Sequence, residues 1–165
     1  GLIVVAKTEQ ALNHLSDQMK NRSTDKQYIA LVMGHMPKSS GIINLPIGRH
    51  PKDRKKMAVV ENGREAITEF EVLEVCKDMS LLKLKLHTGR THQIRVHLAY
   101  MGCKILGDLL YGGKSPMLDR QFLHASRMQI IHPHFEAPQV FVAELPTDLT
   151  EIVRDLGFDK SSLSL

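Results

Sequence analysis

Tryptophan is missing from this chain, cysteine occurs twice, and aromatic residues make up 5% of its 165 residues. Cys76 and Cys103 cannot build a disulfide framework, and neither has a Cys or His nearby at metal-ligand spacing, so both read as reduced, packed thiols. No stretch approaches the roughly 18 apolar residues that span a bilayer, and Gly1-Leu2-Ile3-Val4-Val5-Ala6 lacks the basic flank and length of a secretory signal. A cytoplasmic location is expected by default. The nucleophile elbow G-x-S-x-G and the metal helix H-E-x-x-H are also absent. A histidine-dependent hydrolase or nuclease is therefore the weakest reading of the chemistry. No repeat or low-complexity segment is visible.

What is present is ordinary in bulk and unusual in one place. Hydrophobic residues at 42% and charged residues at 24% are normal for a soluble globular protein, and the length allows one domain with a real core. A net charge of +4 permits a phosphate-rich partner without demanding one. The densest positive run is Arg49, His50, Lys52, Arg54, Lys55 and Lys56. It reads either as a solvated basic face or as a groove for an RNA backbone.

Periodicity supplies the elements. Leu2 to Ala6 is short and apolar throughout, which predicts a strand buried on both faces. Thr8 is placed to cap a helix whose stripe is Ala11, Leu12, Leu15 and Met19. A strand is expected around Tyr28 to Met33, and Pro37 to Arg54 reads as a long, partly irregular loop with a short apolar segment near Ile42 to Ile47. Ala66 to Val75 and Ser80 to His87 form an expected hairpin turning near Lys77-Asp78-Met79. Strands at Phe122 to Ile131 and Val140 to Glu144 follow. A last helix from about Thr147 is expected to bury Leu149, Ile152 and Leu156 before Gly157. Strands outnumber helices and short turns join them, which predicts an α+β domain with a largely antiparallel sheet.

The unusual place is His87-Thr88-Gly89-Arg90-Thr91-His92-Gln93-Ile94-Arg95-Val96-His97-Leu98. Leu82, Leu84 and Leu86 alternate with Lys83 and Lys85 ahead of it, the signature of a half-buried strand. Ile94, Leu98 and Met101 recur at helical spacing behind it, with Thr91 placed to cap the helix and Gly102 to end it. A helix N-terminus beside Arg90 and Arg95 suits a phosphate or a carboxylate. His87, His92 and His97 are spaced by five, which steps about 140° around a helix. That is no metal triad; hydrogen bonds within the unit, or an RNA contact by His92, are the expected uses. Ile94 and Leu98 line a pocket floor or pack the helix beneath it.

Together with its neighbours, this segment resembles the RluA family of RNA pseudouridine synthases, most closely the RluD-type members that modify large-subunit ribosomal RNA. The same pattern continues in Lys26 to Gly34, Arg49 to Val59, Gly63 to Thr68, Gly107-Asp108 with Tyr111-Gly112, Arg120 to Ala125, and Ala143 to Pro146. These blocks occur in family order from about residue 1 to residue 157.

The resemblance implies a mixed, largely antiparallel sheet flanked by helices, with residues 1–165 as one catalytic domain lacking its N-terminal part. It implies isomerisation of uridine with no metal or cofactor, and no membrane partner. Arg95 would pair with the catalytic aspartate, Arg90 being its rival for that role, and Tyr28 would pack against the target base. Without the resemblance, Tyr28 reads as a core aromatic. The family's aspartate lies in H-R-L-D-x-x-T-S-G, and Gly1 is similar to the last glycine of that motif, which puts the aspartate about five residues before Gly1. Leu118-Asp119-Arg120 lacks the Thr-Ser-Gly that should follow, so Asp119 reads as a turn residue. As given, the chain is expected to be inactive alone, with Arg95 an orphan charge facing solvent or an anion. The alternative is a non-catalytic RNA-binding remnant that keeps the basic loop, tyrosine and arginine.

Overall fold

The computed structural model describes residues 1–159. In chain order it runs α1 (Glu9–Lys20), β1 (Asp25–Met33), β2 (Ser40–Asn44), β3 (Ile47–Arg49), β4 (Met57–Val59), β5 (Ile67–Cys76) and β6 (Met79–Leu86). It continues through α2 (Gln93–Tyr100), β7 (Lys104–Ile105), β8 (Leu123–Ile131), β9 (Pro138–Val142) and α3 (Thr147–Leu156). The fold is α+β. The main sheet has the order β2-β5-β6-β1-β8-β9, with β7 also on β1, and β3 and β4 form a separate hairpin; every pairing among the described residues is antiparallel.

The register explains the core. Tyr28 lies opposite Leu84, and Leu84 opposite Phe70, so all three share one face of the sheet. Helix α2 covers that face, its Ile94 and Leu98 joining Leu82, Leu84 and Phe70 in the principal cluster. The intervening Lys83 and Lys85 point to the opposite side, where they pair with Glu71 and Asp25. The alternation read in the sequence thus positions the helix that carries Arg95. The β5–β6 turn is the expected one, with Lys77 at φ 53° in the left-handed conformation that a tight hairpin demands. Both cysteines are free thiols, donating to Leu156 and His35 carbonyls respectively.

Several expectations give way. Leu2 to Ala6 forms no strand: Ile3 is 84% and Val5 74% exposed, and the segment's one backbone bond to the sheet is Leu2 N–H to the Ala125 carbonyl at 2.9 Å. Strand β9 pairs with Arg127 to Ile131 of β8, and the edge beyond it, at Ala125, takes this single bond. Helix α1 is capped by Thr8 as expected, its Oγ1 accepting from Ala11 N–H at 3.2 Å, but Leu12 and Met19 of the apolar stripe are exposed. The buried contact is polar instead: Gln18 donates to the Ile131 carbonyl and accepts from its N–H, pinning α1 to the end of β8. The Pro37 to Arg54 stretch contains β2 and β3, because Ile43 and Ile47 are buried and demand ordered backbone around them. Strand β9 begins earlier than expected and is largely exposed, as an edge strand without a covering layer is. In α3 the buried set is Leu149, Ile152 and Val153, with Leu156 only half-buried beside Gly157, whose φ of 92° ends the helix.

Candidate active site

The strand-turn-helix unit is held by one amide. Gln93, at the first position of α2, is buried, and its Oε1 accepts from Thr88 Oγ1 at 2.8 Å and from Arg90 N–H at 2.9 Å. Its Nε2 donates to the Ile67 carbonyl and to Thr68 Oγ1, both at 3.0 Å. Thr91 does not cap the helix. The cap position belongs to His92, whose φ of 56° is left-handed and whose side chain makes no capping bond; the free N–H of Arg90 is met by Gln93 from inside the helix. Gly102 does end the helix, at φ 81°, with Cys103 N–H returning to the Leu98 carbonyl.

The three histidines part company. His87 meets Glu69 at 2.8 Å on the surface. His97 is fully buried between Thr68 Oγ1 at 2.9 Å and the Leu45 carbonyl at 3.0 Å. A carbonyl only accepts, so Nε2 of His97 carries the proton and Nδ1 accepts from Thr68. Burial pushes the His97 pKa below its ordinary value, the Leu45 bond opposing, and the ring is neutral. His92 lies at Arg95's side, as the next contacts show.

Arg95 is not an orphan. Its Nε and Nη2 grip the two carboxylate oxygens of Asp108 at 2.7 and 2.8 Å, a bidentate fork. The side chain of Asp108 is 1% exposed and that of Arg95 14%. Asp108 Oδ1 also accepts from the N–H groups of Leu110 and Tyr111. Burial pushes the Asp108 carboxyl up, but the Arg95 hydrogen bond and charge with the two backbone donors outweigh it and hold the carboxyl below its usual range. The same hydrogen bond raises Arg95 further. Asp108 reaches this place because the 107–113 turn closes tightly, Gly107 N–H to the Gly113 carbonyl and Gly113 N–H to the Asp108 carbonyl. A Cβ at Gly113 would sit 1.8 Å from the Ile105 carbonyl oxygen, so no other residue fits there.

Tyr111 completes the cluster. Arg95 Cζ lies 5.0 Å from the centre of its ring, and His92 meets it edge-on at 5.7 Å. The Tyr111 hydroxyl accepts from Met57 N–H at 2.9 Å and lies 3.0 Å from His92 Nδ1. The hydroxyl thus bridges the Met57 backbone and the His92 ring. Burial first and the Arg95 charge second keep His92 below its ordinary pKa, with Asp108 opposing.

The remaining expected residues fall into place around this cluster. Arg90 Nε donates to the Glu65 carbonyl at 2.9 Å and so ties the turn to the approach of β5. Arg49, His50, Lys52, Arg54, Lys55 and Lys56 occupy the β3–β4 hairpin, which the Tyr111–Met57 bond fastens to the Arg95 cluster. Within it His50 Nδ1 accepts from Lys52 and Asp53 N–H groups, Arg49 reaches the Arg54 carbonyl, and Lys56 stands 3.6 Å from Asp53. Arg49, Lys52, Arg54 and Lys55 are exposed and have no acidic partner among the described residues. Of the two placements expected for Ile94 and Leu98, the packing one is what the structure shows: both are buried in the principal cluster with Leu84 and Phe70, and Tyr28 packs against it. Tyr28 is half-buried on the α2 face of the sheet, its hydroxyl has no hydrogen-bond partner among the described residues, and its pKa is raised by burial. It shares that face with α2. Two contributors escaped the reading of the sequence. Asp108 and Tyr111 stood inside a motif without a role; an acid following the apolar Ile105-Leu106-Gly107 was the available signal. Lys26, on the strand face of Tyr28, places its Nζ 3.7 Å from where a Cβ at Gly89 would be, so it flanks the turn as well.

Known proteins resemble this chain in sequence and in fold. The RNA pseudouridylate synthase family model matches residues 1–100. An uncharacterized RNA pseudouridine synthase of Chloroflexus aurantiacus is 48% identical over 158 residues, covering 94% of this chain and 50% of that protein. The ribosomal large subunit pseudouridine synthase D of Nitrosomonas europaea is 42% identical over 163 residues, covering 93% and 47%. The chain thus spans about half the length of these curated relatives. The solved structure of human RNA Pseudouridylate Synthase Domain Containing 1 superposes with a TM-score of 0.75 at 28% identity, covering 92% of this chain and 73% of that one. With its sheet, its strand-turn-helix unit and its sequence all agreeing, the chain belongs to the RNA pseudouridylate synthase family.

Proposed function

We propose that the protein containing this chain isomerises uridine to pseudouridine in RNA, with large-subunit ribosomal RNA as its substrate and the cytoplasm as its place of work. Support for the substrate comes from the relative named ribosomal large subunit pseudouridine synthase D, 42% identical. Support for RNA as partner comes from the exposed cations of the β3–β4 hairpin, fastened next to Arg95. The reaction breaks the bond from ribose to the base nitrogen, turns the base and rejoins it through carbon, after the nucleotide has left its stack at a cost of a few kcal/mol.

The observation that carries the reading is the Arg95–Asp108 fork. A guanidinium has five N–H donors, and Asp108 takes two of them. The other three are available to a second anion, with the guanidinium already aimed and its entropy already spent. We assign that second anion to the nucleophilic aspartate of the family. Asp108 itself is unsuited to attack a sugar, being enclosed and engaged at both oxygens. Tyr28 is assigned to the face of the target base, where a stacked aromatic contributes roughly 1–3 kcal/mol.

The motif H-R-L-D-x-x-T-S-G does not occur in the 165 residues. With Asp108 the carboxylate paired to Arg95 among the described residues, a second reading applies to this segment by itself: it binds RNA without converting it. Tritium release from 5-tritiated uridine in ribosomal RNA tests both. The full-length parent should turn over, Arg95→Ala in that parent should abolish turnover, and the 165-residue chain should show none. Retained activity in Arg95→Ala would sink the role given to Arg95, and turnover by the 165-residue chain would sink the claim that it lacks a nucleophile.

A further inference from the structure

Helix α2 has an outer side as well as the side that packs on the sheet. There the helix, the β3–β4 hairpin and the 107–113 turn enclose a groove of about 470 Å³, inside the about 300–1,000 Å³ range of small-ligand clefts. Its floor includes Val59, Val96 and Ala99, and its rim carries both Tyr100 and Leu109, 62% and 65% exposed, and the basic His50 and Lys56. An exposed aromatic facing water beside an exposed leucine is unfavourable surface unless something flat covers it. Cations on the same rim say what the cover brings with it. Among the described residues the acidic partner of Lys56 is the half-exposed Asp53 at 3.6 Å, a weak surface pair. His50 spends its Nδ1 on two backbone donors, so its Nε2 is the ring atom that offers a proton.

The groove adjoins the Arg95 cluster through a single wall. Tyr111 lines it, and the same ring has Arg95 Cζ 5.0 Å from its centre. We propose that this groove is a subsite for a nucleotide flanking the target uridine: the base stacks on Tyr100 and Leu109 while Lys56 and His50 hold the adjoining phosphate. The proposal rests on the RNA reading above and adds to it a place outside the catalytic pocket where single-stranded RNA is gripped. A subsite of this kind holds the strand on both sides of the Tyr111 wall, so binding energy gathered in the groove helps to keep the target nucleotide out of its stack.

The test is fluorescence anisotropy of a 5′-labelled single-stranded RNA containing uridine, titrated with the 165-residue chain at several salt concentrations. Tyr100→Ala should weaken binding by roughly 5- to 150-fold, the equivalent of one lost base stack, with an unchanged salt slope. Tyr100→Phe should bind as the parent does, since the ring is kept. Lys56→Gln should lower the salt slope by about 0.7, the value of one phosphate contact on a single strand. Thermal melts identical to the parent's are expected, because Tyr100 stands at the surface. If the parent chain binds RNA and Tyr100→Ala stays within twofold of it, the subsite is overturned while the RNA reading stands. Equal weakening by Tyr100→Phe and Tyr100→Ala overturns the stacking. If the parent chain binds no RNA at low salt, the RNA reading of this segment fails and the subsite falls with it.

Discussion

Two stretches of this chain carry apolar residues that meet opposite fates in the folded molecule. Ile94, Val96 and Leu98 sit in the core, interleaved with Arg95 and His97, on a helix whose first residue, Gln93, is bonded four ways. Leu2 to Ala6 lies along the surface with one backbone bond, beside a cavity of about 680 Å³ that it shares with Leu15, Ile130 and Phe141. The difference lies in partners rather than in hydrophobicity. Around α2, each buried polar group has somewhere to go, so apolar residues next to them are drawn in at little polar cost. At the opening segment, a single backbone bond to Ala125 is all the ladder that forms. Apolar sequence states what a residue gains from burial; the ladder and the polar network decide whether it is buried.

The contrast is easiest to break at Asp108. Replacing it, Asp108→Ala, leaves Arg95 enclosed without its counter-charge and should cost about 3–5 kcal/mol of stability, measured by urea unfolding. A loss under about 1 kcal/mol would mean that the α2 region owes its order to packing alone. The pH dependence sharpens the same point. Burial holds His97, His92 and His124 below their ordinary pKa, so the folded chain stays neutral at these sites while the unfolded chain takes up protons as pH falls through about 6.5. Stability should therefore be full above that pH and decline as pH is lowered from 7.5 to 5.5, before any carboxylate titrates. An unfolding midpoint that is flat or rises across that range would show the rings to be charged in the folded state. The smallest effect belongs to the other region: Ile3→Ser should change stability by no more than about 0.5 kcal/mol. A larger loss would show that the opening segment is buried in solution after all.

Local pattern carried a good part of the fold. The alternation of Leu82, Leu84 and Leu86 located β6 and its face, Lys77-Asp78 located the hairpin, and Thr8 and Gly157 located helix ends, because each depends on residues a few positions apart. The misses all needed information from further away. Thr91 had the chemistry of a cap, yet Gln93 met the turn from the other side after β5 offered it Ile67 and Thr68. Leu2 to Ala6 had the composition of a strand, but a strand needs a ladder, and the one partner it meets, Ala125 of β8, lies more than a hundred residues on. Ile94 and Leu98 had the helical spacing of either core or pocket, and the register of β1, β5 and β6 decided for core. In the site, Arg95 was legible as a charge in search of a carboxylate. Asp108, thirteen positions downstream across the 107–113 turn, was not.

The bond from Tyr111 to the β3–β4 hairpin ends on a main-chain N–H at position 57. Such a latch ignores the identity of the side chain it holds, and any residue except proline keeps it. Position and sequence are thereby uncoupled: the cations of residues 49–56 are free to be exchanged, one substitution at a time, while the hairpin stays docked at the same distance from Arg95. Within one scaffold, the charged surface of the hairpin is free to diverge without disturbing the arginine behind it.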